Sequence, residues 1–167
     1  MHNVDDLMRI FDACFYESHQ TRLLRGTEEP LYLPADMHAP YHRIYFAHGY
    51  YSSALHECAH WLIAGEERRL LEDYGYWYAP DGRTAEQQAQ FYKVEVKPQA
   101  IECLLSEAAS FPFRVSSDNL DGDSSGEKAF EAAVYAQAQH YRELGLPRRA
   151  QKLQLALRQY YSDLTLK

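Results

Sequence analysis

The chain has 167 residues, 46% of them hydrophobic and 25% charged, with a net charge of −7. That composition suits one folded domain, residues 1–167, with an interior large enough to bury a site, and it excludes a disordered or fibrous chain. The acidic balance and the lack of a basic arm argue against nucleic acid as a partner, and no apolar run reaches membrane-spanning length.

Asn3 is placed to cap a first helix carrying Val4, Leu7, Met8, Phe11, Cys14 and Phe15 on one face. Pro30 and Pro34 then forbid a continuous helix, so 28–34 reads as a loop with at most a short edge strand. Arg43–Ala47 reads as a β-strand that leads through His48-Gly49 into a helix with Ser52 and Ser53 as expected caps and Gly65 just past its end. The charged run from Glu66 to Tyr74 is expected to add a second helical piece, ended by Gly75. An aromatic loop follows, Tyr76-Trp77-Tyr78 with Pro80-Asp81-Gly82 as a turn signal; turn formation is also the leading role for Asp81 and Arg83.

Thr84-Ala85-Glu86-Gln87 has the form of a capping box, opening a helix that Pro98 is expected to interrupt or restart. Phe111-Pro112-Phe113 breaks that helix, and 116–126 is a polar loop. A helix from about Glu127 to Leu144 stops at Gly145, and Pro147 suits the first position of the last helix. The expected fold is therefore α+β, mostly helical, with a short sheet. Three cysteines, Cys14, Cys58 and Cys103, form no C-x-x-C pair, which points to reduced thiols in the cytoplasm.

Chemistry concentrates in His56-Glu57-Cys58-Ala59-His60. Residues one turn apart on a helix share a face, with Cβ atoms roughly 5–6 Å apart, so the two imidazoles can grip one metal ion. The spelling H-E-x-x-H would arise by chance in roughly 3 of 100 chains with this His and Glu content. Its helix is otherwise apolar, where unpartnered polar groups are costly, and this favours a metal over two histidines merely bonded in a core. Cys58 faces the other way and reads as core.

Catalytic ions usually have three protein ligands and an open position. Glu95, stranded between Val94 and Val96, is the leading third ligand; Glu102, Glu107 and the weaker His140 are the alternatives. A zinc ion with Glu57 as general base would make a peptidase. A ferrous ion held by two histidines and a carboxylate would leave positions for oxygen and substrate. Ligand spacing does not choose between them.

Several segments occur together in order: Glu28-Glu29-Pro30-Leu31-Tyr32-Leu33-Pro34-Ala35-Asp36, Phe46-Ala47-His48-Gly49, the His56–Trp61 motif, Gly75-Tyr76-Trp77-Tyr78, Pro80-Asp81-Gly82-Arg83, Val94-Glu95-Val96-Lys97-Pro98-Gln99-Ala100 and Asp118-Asn119-Leu120. Together they make the chain resemble the bacterial elongation factor P hydroxylase family over most of its length. The resemblance implies a zincin-like fold and a metal triad at His56, His60 and Glu95. It implies an iron-dependent enzyme that uses dioxygen to hydroxylate the β-lysylated lysine of elongation factor P, its protein partner. Glu57 would then tune the ion's surroundings or hold a water. No 2-oxoglutarate motif is present, so the sequence assigns no electron donor.

Overall fold

The computed structural model describes residues 1–73, 83–117 and 126–165, and the aromatic loop at 76–82, Gly75 and the 118–120 motif lie outside them. Among the described residues the fold is α+β, with five α-helices around a three-stranded sheet. Helix α1 spans Val4–His19; the Asn3 side chain accepts the Asp5 N–H, and Asp5 and Asp6 place negative charge at its N-terminus. It ends at Gln20, whose left-handed φ of 49° turns the chain directly into strand β1, Thr21–Arg25. Reading the sequence alone did not separate β1 from the helix before it. Thr-Arg-Leu-Leu-Arg carries no alternating pattern of its own, and its extended form depends on pairing with a later strand.

That later strand is β3, His42–Phe46, central in the sheet. β1 pairs with it in parallel, Leu23 opposite Ile44, and β2, Leu31–Leu33, pairs with it antiparallel on the other side. Pro30 and Pro34 bracket β2, as an edge strand requires. His48 and Gly49 then take consecutive left-handed conformations, φ 57° and 69°, and hand the chain to helix α2, Tyr51–Ile63. Tyr50, not a serine, occupies the cap position; Ser52 and Ser53 already lie within the first turn and cap nothing. The run after Gly65 also departs from expectation: among its described residues, 66–73, only Arg68–Leu70 is helical, as a single 3-10 turn, and Tyr74 lies outside them. Leu70 and Leu71 remain exposed, so no apolar stripe exists to hold a longer helix against the core.

Helix α3, Ala85–Ala108, opens on the expected capping box between Thr84 and Gln87. Pro98 does not interrupt it. A proline inside a helix costs about 3 kcal/mol, yet every residue from Pro98 to Ser106 is buried, and packing against α2, helix α4 (Glu127–Leu144) and helix α5 (Arg148–Thr165) holds the helix together. α4 stops at Gly145, with a φ of 95°. The Pro147 carbonyl accepts the Gln151 N–H, which puts Pro147 at the cap of α5, one position earlier than expected.

The main core joins α1, the sheet, α2, α3 and α5 through fully buried side chains that include Phe11, Phe15, Phe46, Leu62, Ile101 and Leu157. Each such side chain contributes about 1.5–3 kcal/mol by leaving water. The three cysteines are buried free thiols. Among the described residues no helix is long and apolar enough to cross a membrane.

Candidate metal centre

α2 and α3 pack side by side, and the polar groups they bury face one another. On α2 the buried residues Ala54, Leu55, Cys58, Ala59 and Leu62 hold the helix against the core, which leaves His56, Glu57 and His60 directed elsewhere. On α3, Glu95, Gln99 and Glu102 are spaced at helical intervals and all are buried. Buried charge of this density requires partners, and the structure supplies them.

His56, His60 and Glu95 converge, with one ligand atom from each lying within 4.8 Å of the others. The two Nε2 atoms are 3.1 Å apart, and the Glu95 carboxylate lies 2.8 Å from His60 Nε2 and 3.6 Å from His56 Nε2. Two ligands at about 2.1 Å from one ion and 90–109° apart would be separated by roughly 3.0–3.4 Å, so these separations suit adjacent positions around a single cation. The donor set of two imidazoles and a carboxylate fits iron or zinc.

Glu102, an alternative third ligand from the sequence, instead lies on the far side of His56. Its carboxylate accepts from Nδ1 at 2.7 Å. With Nδ1 committed to that hydrogen bond, Nε2, on the side of His60 and Glu95, is the nitrogen left for a metal once its proton is released. Glu107 pairs with Arg142 at the surface, and His140 is exposed on α4; neither approaches the cluster.

Gln99 was not singled out from sequence, although it is only 1% exposed. Its side-chain N–H donates to Glu95 Oε2 at 3.0 Å and to the Ser116 carbonyl at 2.7 Å, while its carbonyl accepts the Ser116 N–H at 3.0 Å. Glu95 is thereby held by an amide that is itself clamped to the backbone. A glutamine four residues after Glu95, one helical turn on, is the signal available in the sequence.

Electrostatics follow from this crowding. Burial opposes a charge on His56, but Glu102 and Glu95 outweigh it and hold the imidazolium well above its ordinary pKa in the metal-free protein. Burial would raise Glu95, but His60 and His56 bring its carboxyl down to about 2. Glu57 is raised, with burial prevailing over the nearby histidines. Its carboxylate has no hydrogen-bond partner among the described residues. Together with His60 it lines a cleft of about 390 Å³, walled also by Ile63, Val94 and Pro98. Arg83 lies over the Phe91 ring, 4.1 Å from its centroid, and packs against α3.

Two histidines and a carboxylate brought together, with His60 at the wall of a cleft and His56 anchored from behind, are a donor set that could hold one metal ion in an enzyme. The family model described as Elongation factor P hydroxylase matches residues 10–167. The chain is also 55% identical to the Elongation factor P lysine hydroxylase of Haemophilus influenzae over 161 residues, covering 96% of this chain and 90% of that protein. The chain belongs to the elongation factor P hydroxylase family.

Proposed function

We propose that this protein hydroxylates a lysine side chain of elongation factor P in its β-lysylated form, using one divalent ion held by His56, His60 and Glu95. The observation that carries the metal assignment is the convergence of those three side chains beside the cleft. Ferrous iron suits the donor set and, when bound, supplies the activation of dioxygen that an unactivated lysyl C–H needs. Family membership supports lysine hydroxylation over the zinc-peptidase alternative.

The chain's own residues have separate tasks in this reading. Glu102 keeps the His56 ring in the ligating tautomer, and Gln99 fixes the Glu95 carboxylate. The apolar walls at Ile63, Val94 and Pro98 enclose the lysyl methylenes and limit water around the reacting carbon. Glu57 brings a carboxylate to the same cleft, placed to hold a water near the ion. All of 1–167 acts as one catalytic unit. The H-E-x-x-H helix packed on β3 supports a zincin-like description. Buried free thiols suit the reducing cytoplasm, where a translation factor is at work.

The test is co-expression with elongation factor P in cells lacking their own hydroxylase. The modified lysine should gain the mass of one oxygen atom. A folded, iron-loaded protein that leaves that mass unchanged would overturn the assignment.

A further inference from the structure

Among the described residues, the charge lining the cleft is opposite in sign to that of the whole molecule. The chain carries −7, yet the described lining has Arg68, Arg69, Lys93 and Lys97 against two carboxylates, Glu57 and Asp73. Asp73 is engaged by Arg68 at 2.9 Å, and Glu57 lies with His60 beside the candidate metal centre. Arg69 reaches the Gly65 carbonyl at 3.4 Å and lies near the Trp61 ring, but has no ion pair among the described residues.

Lys93 and Lys97 are more telling. They lie one turn apart on the exposed side of α3, and no carboxylate pairs with either among the described residues. Their helical neighbours are Ala89, Gln90, Ala100 and Ile101, none of which can neutralise them. Like charges at this spacing destabilise a helix. The pair adds no attractive contact to the helix, and an incoming anion would relieve its repulsion. Val94 and Pro98 separate the two lysines from the Glu95 side of the helix, so the cations form the outer edge of the cleft, away from its metal-binding side. Leu70 and Leu71, 70% and 64% exposed, follow Arg69 directly and add an apolar contact of the kind a protein surface covers.

We infer that Lys93, Lys97 and Arg69 form a docking rim for a carboxylate-bearing surface of the protein substrate flanking the lysine to be modified. The inference rests on the proposed hydroxylase reading and deepens it. The substrate's cationic tip passes the rim into the cleft, where Glu57 offers negative charge, while acidic groups beside it engage the rim. Opposite charges at two depths orient the substrate and reject a cationic side chain on a basic surface. The overall −7 disfavours a nucleic acid on the same rim.

The test compares the variant Lys93→Glu/Lys97→Glu with a matched variant of equal charge change on remote exposed positions, Lys128→Glu/Arg158→Glu. Hydroxylation of intact β-lysylated elongation factor P is followed by mass, and its binding is measured separately by calorimetry. The rim variant should raise KM and Kd about tenfold while kcat changes less than twofold, and the wild type's salt dependence should flatten in it. The matched variant should move KM by less than twofold. The docking rim is overturned, with the hydroxylase reading intact, if the wild type turns over while the rim variant keeps its KM, or if both variants raise it equally. It is likewise overturned if the rim variant loses affinity only for an RNA oligonucleotide. A wild type that neither binds nor modifies the factor overturns both.

Discussion

On α2, Leu55, Cys58, Ala59 and Leu62 look into the core with none more than 1% exposed, while His56, Glu57 and His60, interleaved with them, turn toward α3 and the cleft. The first set gains stability by leaving water and is satisfied by shape alone. The second set is tolerable only because Glu95 and Glu102 answer the two imidazoles. One helix thus carries a face that holds the fold and a face that the fold must support. Substitutions on the two faces should fail in different assays.

The sharpest contrast is His60→Ala. Hydroxylation of elongation factor P should fall by on the order of 1000-fold, with thermal unfolding of the metal-free protein little changed. A collapse of the fold would instead mark the centre as structural. Leu55→Ala, five residues before His60 and on the core-facing side, should destabilise by about 2–5 kcal/mol in denaturant titrations while the folded fraction keeps its ability to bind metal. Loss of metal binding in folded Leu55→Ala protein would blur the distinction between the faces.

Glu102→Gln sharpens the comparison further. It keeps the volume but weakens the anchor on His56 Nδ1, and ferrous affinity should fall about 10–100-fold, measured anaerobically. An unchanged affinity would show that Glu102 does not set the ring. The smallest effect is on pH. In the metal-free protein His56 keeps its proton above the ordinary histidine pKa, so the incoming ion must displace it. Between the ordinary value and the raised one, apparent affinity should climb about tenfold per pH unit as His56 deprotonates, then level off. Glu95, at about 2, is already ionised and releases no proton in that window. Metal titrations at several pH values, with proton release followed in weak buffer, check the slope; a flat profile would contradict it.

The legibility of this site from sequence follows the range of the interactions that define it. His56 and His60 were readable because four residues of helix bring them together without help from the rest of the fold. Glu95 and Glu102 lie seven residues apart, two turns of one helix, so both face α2 and spacing does not rank them. What separates them is which ring nitrogen each reaches, and that is set by how α3 packs on α2. Gln99 escaped notice because its role depends on Ser116, a residue in a later segment. The same reasoning covers the fold. The cap of α1, the capping box of α3 and the stop at Gly145 are local signals and were legible. β1 exists through a parallel partner 21 residues on, and Pro98 is tolerated because burial on several sides outweighs its local cost.

Anaerobic calorimetric titration of ferrous iron into the wild type, Glu95→Ala and Glu107→Ala most directly tests whether one cation is held between α2 and α3. One ion should bind per chain in the wild type and in Glu107→Ala, and binding should be lost in Glu95→Ala while its unfolding transition persists. Undiminished binding in Glu95→Ala, or none in the wild type, would contradict the metal centre.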